Sequence, residues 1–138
     1  MKKLLVMMLA VIMVLAMAAC GNIEPSDDGS DAKMINVSIE IDFPEESEVE
    51  DIQAAMIVEE GTSAMEQLYA FADDNNIEVV LDETSPTIYV TSIGGVEQSA
   101  DAGWIYEVND EMSLEAADQI LLEEGMKISW EYTSWDDM

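Results

Sequence analysis

Between Ile35 and Phe43, the apolar residues Ile35, Val37, Ile39, Ile41 and Phe43 alternate with Asn36, Ser38, Glu40 and Asp42. A period of two buries one face only as a β-strand, so this segment demands a sheet with one side on a core and the other in water. Pro44 ends it, because proline has no N–H for the ladder. The rest of the chain must complete that sheet and cover its apolar side. A second, weaker strand is expected near Ala54 to Val58. After Glu59-Glu60-Gly61-Thr62, Ser63 and Glu66 have the spacing of a capping box, which predicts a helix start. Met65, Leu68, Tyr69 and Ala72 then share one helix face, Glu66, Gln67, Asp73 and Asp74 lie largely elsewhere, and Asn75-Asn76 stops the helix.

Ile77 to Leu81 and Thr87 to Ile93 read as short strands separated by a turn around Pro86, and Gly94-Gly95 breaks the chain again. Trp104, Tyr106 and Val108 alternate in one later strand. Met126, Ile128, Trp130 and Tyr132 alternate in another, with Gly125 at its entry. Ser113 to Leu122 fits either a capped helical turn or a short strand. The order implies an α+β fold, a mixed sheet with one helix packed on one face.

The 138 residues suffice for one packed domain. There are 31 acidic residues against four lysines, and no histidine or arginine. This excludes histidine-based triads, histidine-ligated zinc and arginine clamps on phosphate. Nucleic acid is excluded as a partner, since phosphate binding depends on Lys and Arg displacing counterions.

The first twenty residues follow a different logic. Lys2 and Lys3 precede an apolar run from Leu4 to Ala16, and Ala18-Ala19 stands directly before Cys20. That is an export signal with small residues at its cleavage point. Met17-Ala18-Ala19-Cys20-Gly21 resembles a bacterial lipobox, in which the cysteine thiol receives a diacylglycerol. The alternatives are an ordinary signal cut after Ala16-Met17-Ala18, or an uncleaved anchor. Leu4 to Cys20 is near the lower limit of the roughly 17 to 25 residues that span a bilayer. Cys20 is the only cysteine and has no disulfide partner. The expectation is therefore a signal peptide over 1–19, a lipid on Cys20, and a protein held to the cell membrane on its extracytoplasmic face, where two acyl chains anchor stably. Cleavage leaves Lys33 and Lys127 against 31 carboxylates, a net charge of −29.

Residues 20–33, rich in Gly, Ser, Asp and Pro, read as a flexible tether, 34–133 as the folded domain and 134–138 as a tail. Asp27-Asp28-Gly29-Ser30-Asp31 and Asp73-Asp74-Asn75-Asn76 lack the sixth-place glycine and the terminal glutamate of a calcium loop, so no metal site is expected.

Four segments carry a family resemblance: Glu60-Gly61-Thr62-Ser63, Tyr89-Val90-Thr91-Ser92-Ile93-x-Gly95, Gly103-Trp104-Ile105-Tyr106-Glu107-Val108-Asn109, and Glu124 to Tyr132 with its GxxIxWxY pattern. Together, over Ile35 to Thr133, they resemble the transcobalamin-like C-terminal domain found in surface lipoproteins of Gram-positive bacteria. The resemblance implies a β-grasp fold and a corrinoid-binding role. In the cobalamin carriers this domain forms one wall of the site and a helical barrel the other. Asn109-Asp110 stands where Asn-Gly is usual, which predicts a slightly different turn, since Asp tolerates positive φ less well than Gly.

On their strands Trp104 and Tyr106 share a face, as do Trp130 and Tyr132. Two adjacent strands would then present an aromatic platform suited to a ring-shaped ligand, or bury the same rings as core. Trp104, Tyr106, Trp130 and Tyr132, with Asn109 of the motif, are the candidate ligand-binding residues. Trp135, beside Asp136-Asp137, is the aromatic expected at the surface. Lys127 is expected to reach the surface among carboxylates rather than to act as a nucleophile. No carboxylate pair stands out among the 31 acids, so the chain reads as a binding module and not an enzyme. Two partners fit: a small molecule such as a corrinoid or other ring-shaped ligand captured for uptake, with no resident cofactor, or a protein or wall polymer docked on the sheet edge or the aromatic face.

Overall fold

The computed structural model describes residues 31–138. The export signal, Cys20 and most of the tether lie outside the described residues. The alternating segment forms β1 (Met34–Asp42), with Ile35, Val37, Ile39 and Ile41 buried along one side. β2 (Ile52–Glu59) returns antiparallel beside it, Ile41 opposite Ile52 and Met34 opposite Glu59. On β1's other side lies β8 (Lys127–Ser134), and this pairing is parallel, Ile39 opposite Ile128 and Ile41 opposite Trp130. β6 (Ala102–Val108) pairs antiparallel with β8, and β7 (Glu111–Met112) closes the far edge. The five-stranded order is β2-β1-β8-β6-β7, with first and last strands parallel at the centre. It is the mixed, β-grasp-like sheet expected from the sequence. A second, antiparallel sheet holds β3 (Val79–Asp82), β4 (Tyr89–Ile93) and β5 (Val96–Glu97).

One helix, α1 (Ala64–Asn75), covers the apolar side. Ser63 caps it as a full box: its hydroxyl accepts from the Glu66 N–H at 3.1 Å, and the Glu66 carboxylate accepts from the Ser63 N–H at 2.8 Å. Asn76, at φ 56°, ends it in the left-handed region, and the Ile77 N–H returns to the Ala72 carbonyl at 2.8 Å. The packed stripe is Ala64, Met65, Leu68, Phe71 and Ala72. Two expectations are corrected here. Tyr69 lies beside that stripe and is 42% exposed, while Phe71 takes the inward place. Gln67, expected outside, is fully buried because its Nε2 donates to the Ser38 carbonyl of β1 at 3.1 Å.

Ser113 to Leu122 is neither helix nor strand beyond a single bridge of Leu121 to Ser63. Its carbonyls finish the start of α1 instead. Ala64 N–H donates to Ile120 O at 2.9 Å and Met65 N–H to Ala117 O at 3.1 Å, satisfying two donors that have no partner within a helix. At the ends of the domain, Lys33 accepts from the Glu60 N–H at 2.8 Å and pairs its ammonium with the Glu60 carboxylate at 2.5 Å. Beyond β8, the Trp135 N–H donates to Asp101 O at 2.9 Å, and its ring covers Gly103, where a Cβ would approach to 2.5 Å. Trp135 keeps 40% of its surface exposed.

Candidate functional site

β6 and β8 are adjacent, so the aromatics of both strands meet. Trp104 stands opposite Tyr132, with ring centres 5.5 Å apart, and Tyr106 opposite Trp130, at 5.2 Å. Phe43 meets Trp104 edge-on, also at 5.5 Å. Trp104, Tyr106 and Trp130 are buried, and only Tyr132 is part-exposed, so the open aromatic platform is corrected to a covered one. The cover is tertiary: α1 lies over the inner side of the sheet, and the Ser113–Leu122 segment is tied to it through Tyr106. The Tyr106 oxygen is 2.9 Å from the Ser113 hydroxyl and donates to Glu115 O at 2.5 Å. Burial pushes the Tyr106 phenol above its ordinary range. Trp104 donates its indole N–H to Val96 O at 2.9 Å, joining the two sheets, and Tyr132 donates to Glu97 O at 3.0 Å.

Trp130 differs from these. It is 2% exposed, and its indole N–H has no partner among the described residues. A buried donor left empty costs about 1–3 kcal/mol relative to one that is matched. Trp130, Trp104 and Tyr106 line a cleft of about 240 Å³ whose other walls are Met65 of α1, Thr87 to Val90, and Leu114 to Ala117. Leu114 is 92% exposed and Tyr89 54%, large side chains at the rim of a cleft that Thr87 and Glu115 also line. Three of the five sequence-derived residues therefore converge on one cleft. Sequence reasoning missed Leu114 and Tyr89, which show no periodic signal.

Asn109 does not join them. It and Asp110 form the two-residue turn between β6 and β7 with φ of 51° and 67°, both left-handed, so the turn keeps the mirror-image geometry favoured in hairpins despite the aspartate. The Asn109 Oδ1 accepts from the Lys127 N–H at 2.9 Å, and the Asn109 N–H donates to Lys127 O at 2.9 Å, fastening the turn to β8. Asn109 borders a separate hollow of about 580 Å³, beside Met112, Leu121 and Met126. Lys127 pairs with the carboxylates of Asp110 and Glu40, as expected of a surface lysine among acids.

The outer face of the five-stranded sheet carries Glu40, Asp42, Glu107 and Glu131 on neighbouring strands around Lys127 and Ser129. Partial burial, then the charges of Glu40 and Asp51, hold the Asp42 carboxyl above its usual range, with Lys127 opposing. Partial desolvation on the sheet face, then the charges of Glu107 and Asp42, does the same for Glu131, whose side chain still reaches solvent. Among the described residues no group of three His, Cys, Asp or Glu side chains is placed to hold a metal ion. A carboxyl whose folded pKa is raised favours folding in its protonated form. Its penalty is absent below the unfolded value and grows as pH rises through the folded one. Asp42→Asn is therefore expected to melt higher than the parent at pH 7 and level with it near pH 3, below the ordinary Asp value of about 3.9, with added salt shrinking the gain. Glu66, held below its usual range by Ser63, acts in the opposite direction but is common to both proteins. Thermal melts at the two pH values check this, and an unchanged midpoint at pH 7 contradicts it.

Residues 61–134 match the family described as "Domain of unknown function (DUF4430)", more than half of the chain. No curated protein matches. Among solved structures, haptocorrin in complex with Cbi superposes with a TM-score of 0.67 at 16% identity, over 75% of this chain and 26% of haptocorrin. The chain thus spans about a quarter of that protein. A protein from Ruminococcus gnavus ATCC 29149, described as a candidate metal binding protein, superposes with a TM-score of 0.52 at 11% identity, over 72% of this chain and 97% of its own length. At these identities the likeness is one of fold, and the domain is transcobalamin-like in that sense.

Proposed function

We propose, from the premise that the chain belongs to the DUF4430 family, that it is a non-catalytic ligand-binding module held on the extracytoplasmic face of the cell membrane by a lipid on Cys20. The lipobox-like segment supports the location. The absence of histidine, and the lack of any cysteine beyond Cys20, supports binding over chemistry. The observation that carries the reading is the buried indole N–H of Trp130, unpartnered among the described residues, in a residue that lines a cleft of mixed polar and apolar character. A ligand bringing a hydrogen-bond acceptor to that N–H recovers the cost of leaving it empty.

Size narrows the ligand. The cleft, about 240 Å³, is smaller than the roughly 300–1,000 Å³ that encloses a small molecule, so it takes one edge or side group of a larger ligand. The remainder rests on Leu114 and Tyr89. A corrinoid, a broad ring fringed with amide carbonyls, has that shape and supplies acceptors. The haptocorrin relative, solved with Cbi, supports it as the first ligand to try. Titration of the full-length chain with cobinamide should quench tryptophan fluorescence saturably at micromolar ligand. Trp130→Phe keeps the ring volume closest and removes the donor, so calorimetry should show binding about tenfold weaker. A quench that never saturates, or equal affinity in the variant, contradicts the proposal.

A further inference from the structure

Among the described residues β2 is one edge of the five-stranded sheet, with only half of its backbone groups paired. The Ser38 N–H donates to Met126 O at 3.0 Å and Asn36 O accepts from the Gly125 N–H at 2.7 Å, so the backbone groups of Asn36 and Ser38 point toward β8. Those of Ile35, Val37, Ile39 and Ile41 then point toward β2, since direction alternates along a strand. Their partners in register are Val58, Met56, Ala54 and Ile52. The N–H and C=O groups of Gln53, Ala55 and Ile57 therefore face away from the sheet. Among the described residues no backbone hydrogen bond outside the β1 ladder reaches them.

The side chains agree. Ile52, Ala54 and Met56 face the core yet stay only part-buried, and Ile57 on the other side is 67% exposed. Edge strands of this length are ordinarily guarded by a charge, a proline or a bulge. Ile52 to Val58 has no proline and no charged residue, in a chain with 31 acids. The acids stand at its two ends instead, Glu48, Glu50 and Asp51 before it and Glu59 after it, with Glu60 beyond already paired to Lys33.

We propose that β2 receives an extended segment of another polypeptide as an added strand, one whose alternate apolar residues complete the cover over Ile52, Ala54 and Met56 and whose two ends carry lysine or arginine. Backbone pairing supplies the affinity and the flanking charges supply the choice of partner. Those charges disfavour a second copy of this chain. Two-fold pairing of β2 about Ala55 sets Asp51 opposite Glu59 at both ends, between two strongly anionic bodies. This surface is distinct from the Trp130 cleft, and neither reading depends on the other.

The probe is the synthetic peptide KKVTVTVKK, added to the full-length chain, with amide hydrogen exchange followed residue by residue. Saturating peptide should slow exchange at Gln53, Ala55 and Ile57 by about tenfold or more, while EEVTVTVEE binds at least about tenfold more weakly. Ala55→Pro removes an N–H that faces solvent and is tolerated at an edge, so the variant should melt near the parent and bind KKVTVTVKK about five- to tenfold more weakly. Unchanged exchange at those three amides overturns the proposal, as does equal binding of the two peptides. So does finding, by sedimentation, that the free chain already dimerises through β2.

Discussion

Leu68→Ala is expected to cost about 2–5 kcal/mol, because the side chain is wholly buried between α1 and the sheet and its removal leaves a cavity in the core. Set against a domain stability of about 5–15 kcal/mol, that is a large share. In a domain of this size it lowers the melting temperature by roughly 10–20 °C. Tyr69→Ala, one residue along, should change stability by no more than about 0.5 kcal/mol, since the ring lies at the surface. Urea titration of both variants tests the pair. Similar losses would mean that the packed stripe of α1 has been misassigned.

Trp104→Ala should be still more damaging, at about 3–5 kcal/mol. The ring packs edge-on against Phe43 and Tyr132 within the five-stranded sheet, and its indole N–H reaches Val96 O in the three-stranded one. Truncation thus empties a large core volume and breaks a bond between the two sheets. Trp104→Phe restores most of the volume but strands the Val96 carbonyl, so about 1 kcal/mol or more of the loss should remain. Denaturant unfolding of both variants separates packing from the hydrogen bond. Full recovery in Trp104→Phe would show that the contact to Val96 adds nothing.

The elements legible in the sequence were those whose cause is local. β1 announces itself because five apolar residues at a period of two leave no other way to bury a face. The start of α1 is legible because Ser63 and Glu66 exchange hydrogen bonds within one turn. β5 and β7, at two residues each, are too short to show any period. Gln67 looked like a surface residue because its partner, the Ser38 carbonyl, is remote in sequence. The Ser113–Leu122 segment stayed ambiguous because its work is tertiary, satisfying the first N–H groups of α1.

The candidate site divides along the same line. Alternation places Trp104 and Tyr106, and Trp130 and Tyr132, on common faces, but it is silent on whether a face is covered. Burial by α1 and by the loop bound to Tyr106 decides that. Asn109 belongs to the same motif yet serves a turn and another hollow. That the Trp130 donor goes unmatched while the Trp104 donor is matched follows only from three-dimensional placement.

Three tryptophans give three indole N–H resonances, and their environments differ. Trp104 is bonded to Val96 O, Trp135 is part-exposed, and Trp130 is buried without a partner among the described residues. Nitrogen-15 spectra of the full-length chain with and without cobinamide should show the Trp130 indole proton moving downfield as it gains an acceptor, with the Trp104 signal nearly still. A Trp130 signal that stays in place at saturating cobinamide, or a shift confined to Trp135, contradicts ligand capture at this cleft.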